Sequence, residues 1–251
     1  MQFYHQKMII SGDYFEIYKY EKTLRRDFTR KKKKPVDDEP ISSDDFVEEN
    51  KEIKQFIKRM DSVARTRSQI RRIINSNPDF TKFVTLTFKE NVEDVDVANN
   101  HFNKFVKRLN YRYSDFKYIS IIEFQHRGAV HYHFLCNLPF IDSSELAEIW
   151  KHGFIKINKI EHVDNLGAYV CKYLQKDITN KKLFNKKKFF CSKNIEKPIE
   201  IRDDKIIDDL ILQYGFDKSK PDYEGNFTGE YIGKVGYTTF KLKIPPLDFI
   251  E

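Results

Sequence analysis

The stretch Ala129-Val130-His131-Tyr132-His133-Phe134-Leu135 decides how this chain is read. It is apolar and rich in β-forming residues, so it reads as a strand. On a strand, side chains two apart point to the same face. His131 and His133 therefore project side by side among apolar neighbours. Two neutral imidazoles make half of a divalent-metal site. The pair alone also suits structural core histidines, so a metal reading needs a further ligand nearby.

That ligand is found one strand earlier. Tyr118-Ile119-Ser120-Ile121-Ile122-Glu123-Phe124 is a second β-prone run, and Gln125-His126-Arg127-Gly128 forms the turn between the two. Antiparallel pairing through this turn brings Glu123 near His131 or His133. A carboxylate inside an apolar strand is costly to bury without a partner, and a metal would satisfy it. His126 competes as a ligand, but its place in the turn beside Arg127 favours a surface or DNA-contacting role. His101, His152 and His162 look incidental.

Further outward, Phe83-Val84-Thr85-Leu86-Thr87-Phe88 is a strong strand. Asp96 caps a helix running to about Leu109, with Ala98, Phe102, Phe105, Val106 and Leu109 as its apolar face. Ser143-Ser144 caps a short helix that ends at Trp150-Lys151-His152-Gly153. Phe154 to Ile160 is a fourth strand. Asp164 or Asn165 starts a last helix, which runs to about Asp177. The order β-α-β-β-α-β-α is the split βαβ, ferredoxin-like pattern of an α+β fold. It implies an antiparallel sheet with helices packed on one side and the other face free for a ligand.

The last helix carries Tyr169-Val170-Cys171-Lys172-Tyr173. Tyr169 and Tyr173 are one turn apart on one helix face. A free phenol has a pKa near 10 and is a poor nucleophile at neutral pH. Lys172, three residues after Tyr169, supplies a cation that favours the phenolate. Two core aromatics would show the same spacing. Beside a metal-binding histidine pair, the segment suggests attack on a phosphodiester by a tyrosine.

Five regions follow along the chain. Residues 1–24 hold an N-terminal hairpin turning at Ser11-Gly12-Asp13. Residues 25–43 are a charged linker containing Lys31-Lys32-Lys33-Lys34-Pro35. Residues 44–78 form a helix rich in arginine, with Arg65, Arg67, Arg71 and Arg72 as phosphate-contact candidates. Residues 79–180 are the core described above, and residues 181–251 are a basic extension with a final hairpin near Tyr231-Ile232-Gly233.

Composition narrows the class. The chain has 251 residues, a formal net charge of +7 and three cysteines. The charge favours a polyanionic partner. Three widely spaced cysteines argue against a disulfide framework and a thiolate zinc site. No signal peptide or apolar span is visible, so a cytoplasmic protein with no membrane association is expected. There is no GxxxxGK[ST] phosphate loop and hence no ATP-driven helicase motif.

With these residues in view, the chain resembles the rolling-circle replication initiators (Rep) of small phages and plasmids, members of the HUH endonuclease superfamily of the two-tyrosine type. Phe83 to Phe88 resembles their first motif, His131-Tyr132-His133 the second and Tyr169 to Tyr173 the third. Gln125 to Ala129 and Trp150 to Phe154 resemble the filamentous-phage and microvirus-type initiators. Tyr132 is bulkier than the usual aliphatic middle residue.

The resemblance implies that His131, His133 and Glu123 bind Mg2+ or Mn2+, and that Tyr169 and Tyr173 are nucleophiles. It implies a single-stranded DNA origin as substrate, with Thr85, Thr87, His126 and Arg127 joining the arginines as DNA contacts. It further implies a host helicase and polymerase as partners in a bacterial cytoplasm. A transposase or relaxase of the same superfamily, and a non-catalytic ferredoxin-like nucleic-acid-binding protein, are the alternatives.

Overall fold

The four core strands form in the order their sequences predict: β3 (Lys82–Thr87), β4 (Tyr118–Phe124), β5 (Val130–Cys136) and β6 (Ile155–Lys159). The computed structural model describes residues 3–25, 44–160, 166–167, 169–171, 182, 186–187, 189–229 and 232–242, without the side chains of 44–59. The described residues divide between two compact units, Glu48–Glu196 and Met1–Val47 with Lys197–Glu251.

In the first unit the sheet order is β6-β3-β5-β4-β7, all antiparallel, with β7 at Phe189–Cys191. Numbering only the four core strands, this is the 4-1-3-2 order of a ferredoxin-like split βαβ core. The crossover helices are α2 (Val95–Arg112) and α3 (Ser143–Trp150). Both bury their apolar stripes against one face, on Val84, Leu86, Ile122, Val130, Tyr132 and Phe134. Tyr132 stacks on Phe102 at 4.4 Å and donates its hydroxyl to Asn99 Oδ1 at 2.7 Å. A bulky phenol is thus accommodated between the two histidines because it points to the opposite, helix-covered face. Burial pushes its pKa up.

Two caps differ from expectation. Asp94, not Asp96, caps α2, accepting from the amides of Asp96 and Val97. Asp142, not Ser143, holds the N-cap position of α3. In each case an aspartate just upstream has the extended backbone that an N-cap requires.

The opposite sheet face is open only in part. Helix α1 (Asp44–Asn75) lays Val63, Ile70, Ile73 and Ile74 over Phe83, Ile119, Ile121 and Leu135. The sequence reading, which left this face wholly free, did not register that α1 is apolar enough to need a core of its own. Asn77 then fixes the exit from α1, donating to Ile73 O at 2.7 Å and Glu196 O at 2.9 Å. The tyrosine helix, α4, is described at residues 166–167 and 169–171. Gly167 lets it approach α1, because a Cβ there would meet Arg71 Cγ at 2.8 Å.

In the second unit, β1 (Phe3–Ser11) and β2 (Tyr14–Arg25) form the hairpin expected around Gly12-Asp13, where Gly12 has φ 58°. The sheet order is β8-β1-β2-β10-β9, with β8 at Ile199–Ile201, β9 at Tyr223–Gly229 and β10 at Gly233–Lys241. The N-terminal hairpin and the C-terminal hairpin are therefore neighbours in one sheet. Helix α5 (Asp204–Gln213) packs Ile207 and Ile211 against Met8, Phe15, Ile17 and Phe240. No helix among the described residues is long and apolar enough to cross a membrane.

Candidate metal centre

Strand β5 lies between β3 and β4, and this fixes the site. The register sets His131 opposite Glu123 on one side and Thr87 on the other; His133 sits between Ile121 and Thr85. Alternation places Thr85, Thr87, Glu123, His131 and His133 on one face of the sheet. One ligand atom from each of Glu123, His131 and His133 lies within 4.8 Å of the others. His133 Nε2 contacts Glu123 Oε2 directly, and the two imidazole centroids are 6.3 Å apart.

The surroundings prepare both imidazoles as ligands. Thr85 Oγ1 is 3.0 Å from His133 Nδ1. With Nδ1–H donating to that hydroxyl, Nε2 keeps its lone pair on the Glu123 side. His131 Nε2 is buried and has no hydrogen-bond partner. Burial, then the neighbouring His133 ring, pushes the His131 pKa down to about 4, against the opposing pull of Glu123. Its imidazole is therefore neutral at neutral pH, as a metal ligand must be.

Two imidazoles, one carboxylate and an orphaned buried nitrogen fit a divalent cation. A cluster without a cation would leave that nitrogen unsatisfied at a cost of about 1–3 kcal/mol. The group is partly enclosed: the side chains of His133 and Glu123 are 7% and 23% exposed.

Aromatic contacts join the triad to the tyrosine helix. Phe83 stacks on His133 at 5.5 Å and 10°, and meets Tyr169 edge-on at 6.0 Å. Tyr169 is thus separated from the His133 ring by a single phenyl group. Lys172 and Tyr173 lie outside the described residues, as does most of the charged linker. The role of Phe83 was missed in the sequence, although its parity with Thr85 and Thr87 put it on the histidine face.

The remaining candidates are dispersed. His126 is exposed in the turn, and Arg127 donates to Phe88 O and Gln125 Oε1, both at 2.8 Å. Arg65 is exposed on α1, while Arg67, Arg71 and Arg72 are half-buried there. The carbonyl of Arg67 accepts from Cys171 Sγ of α4. Thr87 receives Trp150 Nε1 on its carbonyl at 3.1 Å. His101 and His152 lie together, 4.0 Å between ring centroids, beside Trp150 and Phe88.

Comparison with curated proteins and with solved structures gives no match. Residues 81–178, which contain the whole triad and Tyr169, match the family model for Replication-associated protein ORF2/gene 2 protein, and this segment is therefore similar to a DNA-binding initiator of rolling-circle replication.

Proposed function

We propose that the chain is a metal-dependent, site-specific single-strand DNA endonuclease and strand transferase of the two-tyrosine HUH type, which starts rolling-circle replication. The observation that carries this reading is the Glu123-His131-His133 cluster, one phenyl ring from a helical tyrosine within the family-matched segment.

Glu123, His131 and His133 would hold Mg2+ or Mn2+. A divalent ion there would polarise the scissile phosphate and offset charge on its oxygens. The phenol oxygen of Tyr169 attacks phosphorus and gives up its proton to solvent. The bond from phosphorus to the 3′-oxygen breaks, and that oxygen takes up a proton to become a free 3′-hydroxyl. A 5′-phosphotyrosine forms, so the bond is conserved for later rejoining and no nucleotide triphosphate is consumed. By sequence spacing, Lys172 favours the phenolate of Tyr169, and Tyr173 serves a second strand transfer that ends a round. Thr85 keeps His133 oriented. The free 3′-hydroxyl primes a host polymerase, and a host helicase unwinds the template of a phage or plasmid in the bacterial cytoplasm.

The test is to incubate the protein with labelled single-stranded origin DNA and Mn2+ and to run a denaturing gel. A covalent adduct that depends on the metal supports the reading. Binding without an adduct would leave a non-catalytic nucleic-acid-binding protein.

A further inference from the structure

The face that carries the triad continues to the end strand of the sheet. Antiparallel register aligns two rows of side chains across it. The first runs Lys156, Thr85, His133, Ile121 and Phe189. The second runs Thr87, His131 and Glu123, and the bond from Thr87 N to Phe154 O, 2.9 Å, adds Phe154 at its end. Ile155 and Ile157 pack into the core on the α2–α3 side, so Phe154 and Lys156 share the face of the histidines.

Phe154 is an exposed aromatic on a rigid mount. It is 68% exposed. Its backbone is held by Thr87, and Lys89 N donates to His152 O at 2.8 Å. Gly153 has φ 151° and presses on β3 so closely that a Cβ would come 2.3 Å from Thr87 O. A large apolar ring kept in water on a fixed backbone beside a binding face points to a ligand. Lys156 is exposed and makes no ion pair among the described residues. Residues 149–160 contain Lys151, Lys156 and Lys159 and no acid. The distance from β6 to the histidine strand is two strand spacings, roughly 10 Å.

We propose that Phe154 and Lys156 form a subsite for a nucleotide of single-stranded DNA flanking the phosphate held at the triad. The base stacks on the Phe154 ring, and a backbone phosphate pairs with the Lys156 ammonium. The partner is single-stranded because only an unpaired base has a π-face free to stack. The subsite rests on the reading that the triad acts on DNA, and it gives the strand a direction across the sheet, from Glu123 toward the β6 edge.

The test measures binding of a fluorescent thymidine oligonucleotide of about 20 residues by anisotropy in EDTA, so that metal and cleavage play no part. Phe154→Ala should bind about tenfold more weakly, and Phe154→Trp should bind at least as well as the parent. Phe140→Ala, which removes another exposed ring from the loop after β5, should change nothing. Lys156→Ala should lower the slope of log affinity against log salt by about 0.7, one phosphate contact on a single strand. Affinity unchanged in Phe154→Ala overturns the subsite. So does an equal loss on a duplex of the same length. The two readings fail separately: a metal-dependent adduct with unchanged Phe154→Ala binding removes only the subsite, whereas Phe154-dependent binding with no adduct removes only the nicking chemistry.

Discussion

Thr85 and His133 form a cross-strand pair in which the threonine hydroxyl meets the imidazole Nδ1 at 3.0 Å. This bond selects the tautomer that leaves Nε2 facing Glu123. Thr85→Val keeps the shape and removes the hydroxyl. Manganese affinity, measured by calorimetry, should fall about 10–100-fold, and Thr85→Ser should recover most of it. Unchanged affinity in Thr85→Val would mean that packing alone orients the ring.

His131→Ala and His133→Ala should each abolish nicking while leaving the fold and much of the DNA affinity intact. Glu123→Gln should weaken metal binding more than DNA binding, because it removes the charge and keeps the volume. Circular dichroism, metal titration and a nicking assay separate these effects. Normal cleavage by either histidine variant at saturating Mn2+ would remove the metal assignment.

The two tyrosines should differ. Tyr169→Phe is expected to lose most of the first cleavage of a single-stranded origin. Tyr173→Phe should keep first cleavage and lose termination. Tyr173 lies one turn further along, at roughly 6 Å of axial rise for a regular helix. Mass-spectrometric mapping of the adduct peptide decides the matter, and an adduct mainly on Tyr173 would reverse the roles.

Gly167 is where α4 approaches α1. An added Cβ would lie 2.8 Å from Arg71 Cγ, 3.0 Å from Asn75 Oδ1 and 3.2 Å from Arg71 O. Gly167→Ala should therefore destabilise the chain by about 1–3 kcal/mol, outweighing the gain in helix propensity of about 1 kcal/mol. Denaturant unfolding measures the sign. A more stable variant would show that the helices separate at no cost.

His152 gives a pH dependence away from the triad. Burial, then His101, Arg108 and Lys104, holds its pKa below the ordinary imidazole range. Between its folded value and about 6.5, the unfolded chain binds a proton that the folded chain refuses. Stability is therefore full above that range and declines as pH falls through it. His152→Gln should flatten this part of the stability profile, and an NMR titration of the ring should show the lowered midpoint. A ring titrating near 6.5 would contradict the account.

Much of the core was legible because its signals are local. Alternation along Tyr118–Phe124 and Val130–Cys136, and helical spacing of Phe102, Phe105 and Leu109, survive folding unchanged. The turn at Gly128, with φ 86°, fixed the register that brings Glu123 opposite His131. Helix α5 was equally legible and was overlooked: Asp203 precedes Ile206, Ile207, Leu210 and Ile211 at helical spacing.

The sequence by itself determined the strand and helix order of the core, the shared face of His131 and His133, and the nearness of Glu123, since each follows from residues at most one hairpin apart. Only the tertiary structure decided that His133 takes Thr85 on one side and Glu123 on the other, and that Phe83 bridges to Tyr169. It alone set α1 over half of the ligand face and joined hairpins from the two ends of the chain into one sheet. The reason is physical: strand adjacency and face-covering depend on which distant apolar surfaces bury one another, and no local period in the chain encodes that choice.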